Sequence, residues 1–225
     1  MLAAARQDTP QGREALAKLC ETYWYPLYAY LRRQGESDDD ASDLIQAYFA
    51  RLLEKNYLED VQPQAGRFRS FLLASLKHFV ANERDKSRAL KRHPGTALVS
   101  LDMETADKRY RIEPADVLTP ERVYEKRWAM TVLARVFARL REQFAEAEKS
   151  EQFDRFKSYL IGEEPALPYR QAAVELEMSE GAVRVAVHRL RWRFGELLRA
   201  EIAETVDGSH EVEDEMRYLL GVLSS

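Results

Sequence analysis

Side chains able to hydrogen-bond base edges cluster in one short stretch, Glu180 to Arg199, which holds five arginines and His188. At 100° per residue, Val185, His188 and Trp192 share one side of a helix there, flanked by Arg184 and Arg189. Val183, Val187, Leu190, Phe194 and Leu197 form an apolar stripe on the other side. A guanidinium matches the O6/N7 edge of guanine, and Val185 suits a thymine methyl. Arg191 and Arg193 suit phosphates, which fix register without reading sequence. Upstream, Pro168 opens a helix carrying Tyr169, Ala172, Ala173 and Leu176 at i, i+3, i+4 and i+7. The turn Glu177-Met178-Ser179 joins the two helices, with Ser179 placed to cap the second. This pattern predicts a helix-turn-helix that presents Arg184, Val185, His188 and Arg189 to a major groove. Read more plainly, it is a helical hairpin with a solvated arginine face. Glu177 stands where such turns usually have glycine, at a cost of roughly 1–2 kcal/mol for the left-handed backbone.

A second basic element runs from Arg67 to Arg92, with eight basic and two acidic residues, a net of +6. Phe68 and Phe71 stand at its start, Asn82 in its middle, and Arg84, Lys86, Arg88, Lys91 and Arg92 along its end. Such a face can follow a phosphate backbone, and aromatic rings can stack on unpaired bases. Core packing explains Phe68 and Phe71 equally well. The whole chain nevertheless carries a net charge of −4, and residues Ala200 to Ser225 alone carry −6. Two cationic elements in an acidic whole imply positioning on DNA by a partner rather than autonomous binding.

The elements that must hold these residues are helical. The 225 residues include 9 Gly and 8 Pro between long amphipathic stretches, and alternating apolar-polar runs are scarce. The expected class is all-α: two helical domains joined by an extended linker, the second containing the helix-turn-helix. A first helix starts at Thr9-Pro10 and should kink or break at Pro26. Ser37 caps the next, followed by Asp38, Asp39 and Asp40 against the positive end of the helix dipole. Ala41, Leu44, Ile45, Tyr48, Phe49, Leu52 and Leu53 form its stripe, with Asp43, Gln46 and Arg51 nearer the outside. Pro94 to Leu118 has no sustained period and reads as linker. Thr119-Pro120 begins a helix whose stripe is Met130, Leu133, Val136, Phe137, Leu140 and Phe144, and Ser150 caps a short helix bearing Phe153, Phe156 and Leu160. The expected boundaries are 1–93, 94–118, 119–199 and an acidic amphipathic extension, 200–225. In that extension Val212, Met216, Leu219, Leu220 and Leu223 have helical spacing, suited to docking on this chain or on a partner.

Other classes find little support. The single cysteine, Cys20, precludes an internal disulfide and falls on an apolar face with Leu16, Leu19 and Tyr23, as a small buried hydrophobe does. Four histidines and one cysteine suggest no metal site and no cofactor. No nucleophile–base pair or phosphate loop suggests an enzyme. No long apolar run or leader pattern is present, so a cytoplasmic protein without membrane contact is expected.

The order of three motifs resembles bacterial RNA polymerase sigma factors of the extracytoplasmic-function type. Asp43-Leu44-Ile45-Gln46-Ala47-Tyr48-Phe49 is similar to the family helix that docks on the polymerase clamp helices, with Ala47 in place of the usual acid. Phe68-x-x-Phe71-Leu72 is similar to the start of its promoter-melting helix, although His78 and Asn82 stand where Asn and Asp are common. Ser179-Glu180-Gly181-Ala182-Val183-Arg184 followed by His188-Arg189-Leu190-Arg191 is similar to its recognition helix. The resemblance covers roughly residues 20–92 and 120–199. It implies core RNA polymerase as partner, bound through Asp43, Leu44, Gln46 and Phe49. It also implies promoter DNA, with Arg184, Val185, His188, Arg189, Arg191 and Arg193 at the −35 element. Phe68, Phe71, Asn82, Lys86, Arg88, Lys91 and Arg92 would act at the −10 element. An anti-sigma factor or another regulatory protein fits the same scheme. The alternative is a stand-alone helix-turn-helix regulator.

Overall fold

A computed structural model describes residues 10–54, 67–89, 110, 118–161, 168–206 and 209–224. Every secondary-structure element among them is helical, as the sequence pattern requires: α1 (Pro10–Arg33), α2 (Asp38–Glu54), α3 (Phe68–Ala89), α4 (Pro120–Glu146), α5 (Ser150–Phe156), α6 (Ser158–Ile161), α7 (Tyr169–Glu175), α8 (Glu180–Ala203) and α9 (Ser209–Leu223). No helix among the described residues is long and apolar enough to cross a membrane. The chain divides into two compact units, Met1–Thr131 with Ala203–Ser225, and Val132–Ile202.

In the first unit α1 continues through Pro26 rather than breaking there. Proline inside a helix costs about 3 kcal/mol. The turns around it bury Tyr25, Leu27, Tyr28, Ala29, Tyr30 and Leu31, and each large apolar side chain contributes roughly 1.5–3 kcal/mol, so packing wins. At its end Gly35, with φ +96°, closes the helix. Its N–H donates to the Arg32 carbonyl at 3.1 Å and that of Glu36 to Leu31 at 3.2 Å, which satisfies two terminal carbonyls. Ser37 then caps α2, its Oγ accepting from the Asp40 N–H at 3.1 Å. Ala41, Ile45, Tyr48, Phe49 and Leu52 bury the expected face of α2. Against it, α3 buries Phe68, Leu72, Leu76, Phe79 and Val80, and the Tyr48 hydroxyl donates to the Leu72 carbonyl at 3.2 Å.

Thr119 caps α4, accepting from Arg122 N at 3.3 Å. Val123, Tyr124 and Trp128 of α4 are buried in the first unit. Met130, expected in the buried stripe, is 39% exposed instead. Tyr124, Trp128, Val132, Val136 and Leu140 repeat every four residues, and this bulkier row sets the rotation of the helix. The acidic extension docks on its own chain: α9 buries Val212, Glu215, Leu219 and Val222 within the first unit.

The second unit packs Leu140, Phe153, Phe156, Tyr159, Ala172, Ala173, Val183, Val187 and Leu190 into one core. Phe194 and Leu197 lie partly buried at its edge. Ser150 does not cap α5; Lys149 holds that position, with no side-chain cap bond. Glu148, at φ 58°, ends α4 in the left-handed conformation, and Lys149 N donates to Phe144 O at 2.7 Å. Lys149 therefore closes one helix and opens the next, which moves the cap one residue ahead of Ser150.

Candidate nucleic-acid interface

Two helices and a tight turn build the surface around α8. The turn closes in the same way as the end of α4. Glu177 takes φ 51°, and Met178 N donates to Ala173 O at 2.9 Å. The expected left-handed position is thus occupied by glutamate. Ser179 caps α8, accepting from Ala182 N at 3.1 Å. With Val183, Val187 and Leu190 inside, Val185 is 51% and Trp192 61% exposed, while His188 and Arg189 are exposed beside them.

The arginines of α8 divide by what holds them. Arg184 pairs with Glu180 one turn earlier, at 2.7 Å, and lies over the Tyr169 ring, 5.2 Å from its centroid. The Glu180 hydrogen bond raises its pKa above the usual guanidinium value. Arg191 donates to the Tyr159 carbonyl through Nε at 3.3 Å and an NH2 group at 3.2 Å. Arg193 donates to Gln143 Oε1 at 2.9 Å. These two guanidinia are tethered to the unit's own backbone and side chains. Neither Arg189 nor His188 has such a tether among the described residues. At the first turn of α8, Gly181 faces open space: a Cβ there would meet nothing within 4 Å. Its missing side chain answers no packing requirement of the fold.

In the first unit Asp43 is exposed, Leu44 and Gln46 are half-buried, and Phe49 lies in the core. Phe68 is also core, edge-on to Tyr23 at 5.5 Å, so of its two readings the packing role is the one occupied. Phe71 is half-buried and stacks on Phe68 at 6.1 Å. It also lines a groove of about 330 Å³ between α2 and α3, with Tyr48, Arg51, Ser75, His78 and Asn82. Lys86 and Arg88 lie on α3, but their side chains, and Lys91 and Arg92 entirely, fall outside the described residues. Most of the Pro94–Leu118 segment does too; Tyr110 is described, its ring 5.0 Å from the Arg32 guanidinium.

The cations of α3 that are described have acidic partners. Lys77 pairs with Glu121 at 2.7 Å, and Arg84 pairs with Glu36. Arg69 Nε donates to Glu215 Oε1 at 2.5 Å, and Arg67 Nε lies 2.9 Å from Glu215 Oε2 as an ion pair not aligned for a hydrogen bond. Burial works against the charge on Arg69, yet the hydrogen bond and field of Glu215 outweigh it and raise its pKa. Arg67 and Arg69 belong to the basic run, but the run itself gives no sign of their partner. Glu215 lies 146 positions from Arg69, and only its place between Val212 and Leu219 on the inner face of α9 marked it.

No family model matches the chain, and neither a curated protein nor a solved structure matches it.

Proposed function

We propose that this chain is a sigma factor of the extracytoplasmic-function type. It binds core RNA polymerase, reads the −35 and −10 elements of a promoter and assists strand opening. The polymerase supplies the chemistry, and the chain supplies address and melting. The observation that carries this reading is the Ser179–Arg191 signature on α8, whose exposed side combines Val185, His188, Arg189 and Trp192 over a packed back. In this reading α7, the turn and α8 are a helix-turn-helix whose first helical turn enters the major groove. The open space at Gly181 supports a close approach of the DNA backbone to the N-terminal end of α8. Arg184 exchanges Glu180 for a base edge, since an exposed pair one turn apart contributes little to the fold.

In the first unit the −10 role falls to the outer face of α3, including Asn82, and to the Phe71 side of the groove rather than to Phe68. The polymerase role falls to exposed Asp43 and its half-buried neighbours Leu44 and Gln46. Both reading modules belong to one chain, and such linkage raises the effective concentration of the second to about mM.

Run-off transcription with purified core polymerase tests the reading. The expected result is a promoter-dependent transcript that appears only with the chain added. No association with core polymerase, together with tight operator binding by the isolated chain, would establish the stand-alone regulator instead.

A further inference from the structure

Two arginines of the basic run stand at the start of α3, Arg67 just before it and Arg69 within it, and α9 lies against both. One carboxylate, that of Glu215, serves them: Oε1 faces Arg69 Nε at 2.5 Å and Oε2 faces Arg67 Nε at 2.9 Å. The Tyr218 ring lies under the same pair, 3.7 Å from the Arg69 guanidinium and 5.1 Å from that of Arg67. Arg69 and Glu215 are both nearly inaccessible, whereas Arg67 keeps about a third of its side chain in solvent, at 36%. On the far side Glu125 Oε1 stands 3.9 Å from Arg69.

Two guanidinia, each on a separate oxygen of one anion, form the arrangement that also grips the two free oxygens of a phosphodiester. An aromatic face beside them is what an unpaired base stacks on. We propose that α9 is a displaceable cover in which Glu215 and Tyr218 imitate a nucleotide, occupying a site at Arg67 and Arg69 that binds single-stranded nucleic acid once α9 leaves. The inference rests on the reading of α3 as a nucleic-acid helix.

The chemistry of the seam favours a cover over a plain structural brace. A buried ion pair holds two segments no better than apolar side chains of the same volume, because both charges must leave water. It does give the covered surface a second possible occupant, since any anion of suitable shape competes for the same guanidinia. The charge of α9 suits this place: it carries Glu211, Glu213, Asp214 and Glu215 against the single Arg217. Val212, Leu219 and Val222 of α9 are buried, Met216, Tyr218 and Leu223 are half-buried, and Leu220 is left 54% exposed.

The test uses the full chain and a labelled twelve-nucleotide oligo-dT, followed by fluorescence anisotropy across a salt series. Glu215→Gln keeps the size of the side chain and removes its charge. It is expected to bind at least about tenfold more tightly, with a log K against log salt slope steeper by about 1.4, the value for two added phosphate contacts on a single strand. Adding Arg67→Gln and Arg69→Gln to that variant is expected to return both values to those of the parent. Unchanged affinity and slope in Glu215→Gln, with helix content intact by circular dichroism, overturn the proposal. If that variant unfolds, amide exchange on the unmodified chain decides. At saturating oligonucleotide, faster exchange in Val212–Val222 with slower exchange in Arg67–Leu72 supports the cover, and unchanged protection of α9 overturns it. None of these readouts uses polymerase, so loss of run-off activity and failure of the cover are separable results.

Discussion

At single positions the structure separates residues held for the fold from residues kept for something else. Glu177 sits at φ 51° because the turn before α8 needs a left-handed residue, and glutamate gains nothing there. Glu177→Gly should raise the stability of the second unit by about 0.5–1 kcal/mol, seen as a higher thermal midpoint, and leave DNA affinity unchanged. Gly181 is the reverse case. A helical glycine costs about 1 kcal/mol relative to alanine, and its neighbourhood is empty, so Gly181→Ala should stabilise the fold by roughly that amount. If DNA approaches the first turn of α8, the same change weakens promoter binding. Higher stability with undiminished transcription would remove Gly181 from the interface. Arg184→Ala should lower discrimination at one −35 base pair by about tenfold, measured by transcription across −35 variants. Equal preference in parent and variant would assign Arg184 to its Glu180 pair alone.

Among the elements, α1 shows how packing overrides a local rule. Pro26 predicts a break, but the apolar turns on both sides of it bury enough surface to keep the helix whole. The same packing sets the pH response of the first unit. Burial pushes the Cys20 thiol up to about 12 and raises the Tyr23 and Tyr124 phenols well above their ordinary range. In the unfolded chain these groups lose their protons near their usual values, so above those values the unfolded state binds fewer protons than the folded one. Stability is therefore full below the ordinary thiol and phenol range and falls as pH climbs through it. A urea midpoint that drops between about pH 8 and pH 11 is the expected result, and a flat profile would show that these groups ionise in place. At neutral pH, buried Cys20 should resist a thiol reagent until the unit unfolds.

Across the whole chain, charge is segregated rather than neutral. A net charge of −4 conceals a cationic α3 and a cationic α8 face, and α9 neutralises part of the first. Free protein should therefore bind duplex promoter DNA weakly, with an affinity that falls steeply as salt rises, and tighten only when polymerase holds both modules. Band-shift titrations with and without core polymerase at several salt concentrations check this; tight, salt-insensitive binding by the free chain would contradict it.

Local chemistry was readable along the chain. The caps at Ser37, Thr119 and Ser179, the stripe of α2 and the exposed side of α8 all follow from groups within one or two turns of each other, because hydrogen bonds at helix ends and helical periodicity are short-range effects. The continuity of α1, the rotation of α4 that exposes Met130 and the seam joining Glu215 to Arg67 and Arg69 were not. Each depends on which distant surface a helix meets, and burial and ion pairing are properties of that meeting.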